Sequence, residues 1–113
     1  KNRECDNWNF IVDEVELSDK NAIEALSIPE ILKRYQWNQI DVLKIDIEGS
    51  EIEVLSTSNE WLNSVNVMLI ELHDRFRFGC TSALEKAILP FSFDVESAGE
   101  KQLLRNKSPR PIT

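Results

Sequence analysis

Ionisable side chains stand inside or directly after two apolar runs of the sequence. Lys44 and Asp46 lie in the first run, and Glu48 follows it directly. Glu71 lies in the second run, and His73 follows it directly. A carboxylate or a neutral imidazole can accept a proton from a hydroxyl group, and a lysine can bind a polar or anionic ligand. An unpaired charge between apolar strands is costly, so these groups must be paired, hydrated in a cleft or bound to a ligand. They are therefore the candidate catalytic and substrate-binding residues.

The two apolar runs, residues 40–47 and 65–72, are rich in Val, Ile and Leu and are predicted to be strands. The first run ends at Gly49, and residues 50–55 restart with helical spacing. This pattern predicts a βαβ unit with parallel strands, and hence an α/β fold. Because the carboxyl ends of parallel strands meet at one edge of the sheet, we expect Asp46 and His73 to converge there.

The flanking segments predict further elements. Residues 9–17, mixed apolar and acidic, indicate an edge strand, and residues 22–26 indicate a short strand. Ser27 is a typical N-cap for a helix that continues through Tyr35. A further amphipathic piece surrounds Trp61.

The C-terminal third of the chain predicts a helix followed by a hairpin. Thr81 is the expected N-cap of a helix through Ile88, which Pro90 would stop. Residues 91–96 and 102–105 then indicate two antiparallel strands, joined by a turn at residues 97–100.

Length and composition restrict the function. A chain of 113 residues with 42% hydrophobic and 29% charged residues is one domain or part of one, and is not intrinsically disordered. The net charge of −7 disfavours nucleic acid as a partner. No apolar run approaches the roughly 20 residues of a membrane span, and the first residues lack the apolar core of a signal peptide. We therefore expect a cytoplasmic protein without a membrane span.

The cysteines and glycines exclude several kinds of site. Cys5 and Cys80 are far apart and form no Cys-x-x-Cys pair, so free thiols are expected instead of a zinc or redox motif. The three glycines never form a Gly-x-Gly, so a glycine-rich loop that holds a nucleotide is not expected within these residues.

Two motifs carry a resemblance to a known family. Residues 40–51 read IDVLKIDIEGSE, residues 69–75 read LIELHDR, and Gly79-Cys80 follow. Together they resemble the C-terminal half of FkbM-family methyltransferases, and the likeness extends from Trp8 to Asn106. The resemblance implies a Rossmann-like class I methyltransferase sheet, S-adenosylmethionine as cofactor, and a hydroxyl of a glycan or small metabolite as methyl acceptor.

The family's complete domain begins with a glycine-rich turn that holds the cofactor, and this sequence contains no such turn. We therefore expect residues 1–113 to be the C-terminal, substrate-side portion of a methyltransferase domain, with the cofactor-binding residues unknown. Such a portion alone is expected to be inactive and to bind S-adenosylmethionine weakly or not at all. A missing N-terminal half, or a second copy of the chain, is the protein partner expected.

The resemblance and the residue chemistry assign roles to the five candidates. Asp46, Glu48 and His73 are the candidate catalytic residues, and Lys44 and Glu71 are candidates for substrate binding. No residue is assigned to a metal. An alternative stays open, in which Asp46 and Glu71 hold a divalent cation that lowers the pKa of the acceptor hydroxyl.

Structural roles and other functions are also open. Lys44 could pair with Asp46 or Glu71, Glu48 and Ser50 could cap the following helix, and His73 could donate to a backbone carbonyl. A haloacid-dehalogenase-like phosphatase is a weaker alternative, because the loop after the first strand lacks that family's second aspartate. The main alternative function is a truncated, non-catalytic module that associates with a protein through residues 65–72 as an open sheet edge.

Overall fold

The computed structural model describes residues 22–112, so the strand predicted over residues 9–17 lies outside the described part of the chain. The described residues form an α/β structure with helices and strands in mixed order. Its elements are α1 (Ile28–Tyr35), β1 (Ile40–Ile45), α2 (Glu51–Ser56), two 3-10 turns (Ser58–Glu60 and Leu62–Ser64), β2 (Val65–Glu71), α3 (Cys80–Ile88), β3 (Phe93–Ala98) and β4 (Lys101–Asn106).

The four strands form one mixed sheet in the order β1-β2-β4-β3. β1 and β2 are parallel, with Lys44 opposite Leu69, and α2 lies between them in sequence, which confirms the predicted βαβ unit. β3 and β4 are antiparallel and form the predicted hairpin. Gly99, with φ of +64°, begins the turn between them, where a side chain would be strained.

Residues 65–72, which would favour association if left as a sheet edge, are not at an edge of the described sheet. β2 lies between β1 and β4, and its pairing with β4 runs from Val67 opposite Arg105 to Glu71 opposite Lys101. The hairpin folds back and occupies the hydrogen-bonding groups that an associating chain would need. The observation that favoured a non-catalytic association module is therefore absent from the structure.

The helix predicted after Ser27 is confirmed, including its cap. The Glu30 backbone N–H donates to the Ser27 hydroxyl at 3.2 Å, and the Ser27 N–H donates to the Glu30 carboxylate at 2.7 Å. The strand predicted over residues 22–26 is wrong, because no strand of the described sheet pairs with this segment. Ile23 in this segment is 87% exposed.

The cap predicted at Thr81 is also wrong, since α3 begins at Cys80 and its N-cap is Gly79, two residues before Thr81. Gly79 has a φ of +109° and no side chain, so another residue caps the helix. The Asp74 carboxylate accepts from the backbone N–H groups of Gly79 and Thr81 at 3.2 and 3.1 Å. An acidic group at the N-terminus of α3 also suits the helix dipole.

The core packs the helices against the sheet, and α2 and α3 lie against each other. The amphipathic piece around Trp61 consists of the two 3-10 turns and buries Trp61 and Leu62. The buried hydrophobic residues are Leu32, Ile45, Leu55, Trp61, Leu62, Val65, Met68, Ile70, Leu72, Cys80, Leu84 and Leu104. Within residues 22–112, every helix is too short or too polar to cross a membrane.

Candidate functional site

His73 is the centre of a cluster of carboxylates at the carboxyl ends of β1 and β2. It lies two residues after β2 and is only 1% exposed. Its Nε2 atom lies 3.4 Å from Asp46 Oδ1, 3.6 Å from Glu48 Oε2 and 3.6 Å from Glu71 Oε2. The structure thus brings together four of the five candidate residues, three of them acidic.

The path of the chain after β1 explains how two acids reach the same imidazole. Asp46 follows the last residue of β1, and the parallel pairing places that end beside the end of β2. Glu48 has a φ of 55° and Gly49 a φ of 102°, so the chain makes a left-handed turn there before α2 begins. A Cβ at Gly49 would lie 3.4 Å from Arg77 Cβ, in addition to the backbone strain. The turn carries the Glu48 side chain back toward His73.

Glu51 orients His73 and was missed by the sequence reasoning. This glutamate is fully buried at the start of α2, and its Oε2 atom lies 3.0 Å from His73 Nδ1. The same oxygen accepts from the backbone N–H groups of Ile47 and Gly49 at 3.3 and 3.2 Å. An ionised carboxylate only accepts, so Nδ1 carries a proton and Nε2 faces the other acids.

The sequence held little signal for this role of Glu51. An acidic residue in the first turn of a helix is ordinarily a solvent-exposed group that favours the helix dipole. Glu51 is buried because of the turn at Gly49 and because His73 lies after a different strand, β2. Neither could be read from the local pattern.

The surroundings of His73 shift the pKa of its imidazole. Burial lowers its pKa, but the hydrogen bond to Glu51 and the charges of Glu51, Glu48 and Glu71 outweigh burial and raise the pKa above its usual value. The imidazole thus holds a proton more readily than a histidine in water. The cluster favours a positive charge at its centre.

The loop after β2 encloses the imidazole from another side. The His73 carbonyl accepts from the backbone N–H groups of Phe76 and Arg77, both at 2.9 Å. The Phe76 ring stacks on the His73 ring with centroids 5.9 Å apart. Arg77 pairs with Glu53 at 2.6 Å and donates to the Gly49 carbonyl at 3.1 Å, so it ties this loop to α2 and to the turn before it.

A small cleft opens beside the cluster. It has a volume of about 160 Å³ and is lined by the side chains of Lys44, Asp46, Glu71 and Lys101, among others. Lys44 is exposed, and no ion pair within 4.0 Å joins it to Asp46 or Glu71, all three being described residues. Lys101 stands opposite Glu71 across β2 and β4. It was missed because its place beside the cleft depends on the hairpin folding back.

The structure also decides between the structural alternatives for these residues. Ser50 makes no capping hydrogen bond through its side chain, and Glu48 faces His73. His73 bonds through Nδ1 to a carboxylate, where a backbone carbonyl was the alternative. The Lys44 pairs considered from the sequence do not form.

Cys80 lies close to the cluster but is chemically inert. It is a free, fully buried thiol, as expected from the sequence. Burial, with the neighbouring Glu51 adding to it, raises the pKa of this thiol to about 11. A thiol of that pKa is a poor nucleophile at neutral pH.

Comparison with known proteins identifies the family. The model of the methyltransferase FkbM domain matches residues 3–99, and the chain therefore belongs to this family. Hexuronic acid methyltransferase AglP of Haloferax volcanii is 35% identical over 52 residues, which cover 46% of this chain and 22% of that protein. The matched segment is thus about a fifth of the relative's length. No solved structure matches the chain.

Proposed function

We propose that the protein is an S-adenosylmethionine-dependent methyltransferase that methylates a hydroxyl group of a glycan or small metabolite at the His73 cluster. The observation that carries this proposal is the convergence of Asp46, Glu48 and Glu71 on one buried, oriented imidazole. The family supports methyl transfer as the general chemistry.

The chemistry of the reaction explains why such a cluster is useful. S-adenosylmethionine supplies a methyl group that is already activated, so the protein has to place an acceptor oxygen and remove its proton. Asp46, 40% exposed, and Glu48, 31% exposed, reach the open side of the cluster, while His73 lies beneath them. These three residues are the groups that we assign to proton removal.

The cleft supports a role for Lys44 and Glu71 in binding the acceptor. Both line it beside Asp46, and Lys101 adds a second ammonium group. A sugar that carries a carboxylate would pair with the lysines, while its hydroxyl groups would reach Glu71 and Asp46. The name of the relative, a hexuronic acid methyltransferase, makes such an acid sugar the first acceptor to test.

The described residues do not fit the cofactor itself. The three glycines of the sequence, Gly49, Gly79 and Gly99, form no Gly-x-Gly, the kind of loop that would hold it. We therefore propose that residues 1–113 form the acceptor side of a longer, Rossmann-like methyltransferase domain.

Transfer of a labelled methyl group tests the proposed function. The native, full-length protein that carries residues 1–113 is incubated with methyl-labelled S-adenosylmethionine and a glycan that contains hexuronic acid, and label in the glycan is counted. Asp46→Asn should lower turnover by a factor of about 100 or more at saturating substrates, because it removes a proton-accepting group without changing its shape.

The matched control is Asp41→Asn, an exposed aspartate on β1, the strand that precedes Asp46, and this variant should keep its turnover. Circular dichroism checks that both variants are folded. Wild-type turnover for Asp46→Asn would remove this residue from the mechanism. Absence of transfer by the native protein to acid and neutral glycans alike would remove the proposed acceptor class.

A further inference from the structure

Three donor atoms of the cluster are placed as ligands of a single ion would be. One oxygen of Asp46, one oxygen of Glu48 and a ring nitrogen of His73 all lie within 4.8 Å of one another. The two contacts to His73 Nε2 are 3.4 and 3.6 Å. Two ligands that each lie about 2.1 Å from a metal are about 3.0 Å apart at a right angle and about 3.4 Å apart at the tetrahedral angle. The two separations from His73 Nε2 are close to the tetrahedral value.

The state of His73 is an independent observation that points to a ligand. The side chain is 2% exposed, and within residues 22–112 its Nε2 makes no hydrogen bond, whereas Nδ1 is bound by the buried Glu51. A carboxylate on the far nitrogen of a histidine is the usual arrangement behind a metal-bound imidazole, because it orients the ring and increases its basicity. Nε2 faces the carboxylates of Asp46, Glu48 and Glu71, at 3.4, 3.6 and 3.6 Å.

The charges at this point also favour a cation. Asp46, Glu48 and Glu71 pair with no lysine or arginine within 4.0 Å in the described part of the chain, and all three face the same imidazole. The neighbouring Arg75 is paired with Glu100 at 2.6 Å. Like charges held this close repel each other unless a positive charge lies between them, and either a protonated His73 or a bound cation would supply it.

We propose that Asp46, Glu48 and His73 bind one divalent transition-metal ion, with Mn²⁺ the first candidate. Mixed carboxylate and imidazole ligands suit Mn²⁺, Fe²⁺ and Zn²⁺ better than Mg²⁺ or Ca²⁺, which prefer oxygen alone. Three protein ligands leave positions open, and Asp46 lines the adjoining cleft. The ion would thus be reached by a molecule bound there.

The use of the ion, but not its binding, rests on the proposed function. A hydroxyl bound to the ion has a lower pKa and loses its proton at neutral pH. The Glu71 carboxylate lies outside the set of three ligands and faces the cleft, so it can take that proton. With the ion bound, Asp46, Glu48 and His73 hold it, and Glu71 takes over from them the proton removal assigned in the proposed function.

Mn²⁺ binding to the intact protein tests the site without methyl donor or acceptor. The protein is freed of metal with a chelator and titrated with Mn²⁺ while the free ion is followed by electron paramagnetic resonance. One ion per chain should bind, and pulsed spectra should show coupling to a ¹⁴N nucleus of an imidazole. Asp46→Asn and Glu48→Gln should each weaken binding at least about 10-fold, and Asp41→Asn should leave it unchanged.

Several results would overturn the site: no binding at millimolar Mn²⁺, no ¹⁴N coupling, or equal affinity in Asp46→Asn, Glu48→Gln and the wild type. The ¹⁴N coupling is measured on the wild type, so it does not depend on whether a His73 variant folds. Methyl transfer is assayed separately, with and without chelator. Transfer that persists without any bound ion overturns the catalytic use of the ion. A bound ion without methyl transfer to any acceptor leaves the site intact and contradicts the proposed function.

Discussion

The edge of the sheet at His73 and the β3–β4 hairpin are built from similar charged residues but use them in opposite ways. On the hairpin, Arg105 pairs with Glu96 at 3.2 Å, and the two side chains are 59% and 70% exposed. At His73, acids converge on a side chain that is almost completely buried. Water screens the hairpin pair, whereas the cluster depends on its own hydrogen bonds. Burial and the balance of charge, more than residue type, thus separate the His73 cluster from an ordinary surface.

The largest difference between the two regions is expected in the free energy of unfolding, when Glu51 is replaced. Replacing this residue by alanine leaves His73 Nδ1 and two backbone N–H groups without their acceptor inside the protein. We expect Glu51→Ala to lower the free energy of unfolding by about 3 kcal/mol or more, as is usual for breaking a buried charged network. Glu96→Ala on the hairpin should change it by less than about 0.5 kcal/mol. Urea unfolding followed by circular dichroism measures both, and equal effects would contradict the contrast.

A second difference is expected within the hairpin itself. Val95 and Leu104 stand directly opposite each other, but Leu104 is fully buried and Val95 is 47% exposed, because β3 is an edge strand of the described sheet and β4 is not. Leu104→Ala should cost about 3 kcal/mol, and Val95→Ala less than about 1 kcal/mol. Thermal unfolding of the two variants checks this, and a larger loss for Val95→Ala would show that the hairpin packs differently.

The pair that joins the loop after β2 to α2 predicts a smaller, pH-dependent effect. The hydrogen bond from Arg77 lowers the pKa of the Glu53 carboxyl. A lowered folded-state pKa means that the added stability is present above the usual glutamate pKa and is lost as the pH falls through the folded-state value. Glu53→Gln should thus lower the urea midpoint at neutral pH but not in acid. The exposed Glu60→Gln serves as the control, and an equal shift at both pH values would exclude this ion pair as the cause.

The smallest effect is expected for the coupling between Arg105 and Glu96. Both side chains are more than half exposed. A double-mutant cycle with alanine at each position should give a coupling energy of about 0.5 kcal/mol or less. A coupling well above 1 kcal/mol would mean that the hairpin surface is shielded from water, and the distinction from the His73 cluster would then be weaker.

Much of the fold was predictable from the sequence because its signals are local. The two apolar runs and the break at Gly49 predicted the parallel pair β1 and β2, and the turn at Gly99 predicted the hairpin. The capping residues of α1 follow from a short motif that begins at Ser27. The N-cap of α3 was missed because Asp74, which caps it, lies in the preceding loop.

The candidate site was predictable only in part. The expected parallel pairing of the two strands placed Asp46 and His73 at one edge of the sheet, and the structure brings them together. Glu51 and Lys101 were missed, since each reaches the site through the packing of separate elements. Strand order was also not predictable, because placing the hairpin beside β2 depends on contacts between distant parts of the chain.

The left-handed backbone at Glu48 sets the stability of the turn against the presence of a carboxylate beside His73. A residue with a side chain pays roughly 1 kcal/mol or more to adopt a φ of 55°, whereas glycine adopts it freely. Selection or design for thermal stability alone would therefore favour Glu48→Gly, and would remove a carboxylate that faces His73. Engineering of this protein should hold position 48 constant, because the most stable sequence for the turn is not the one that completes the cluster.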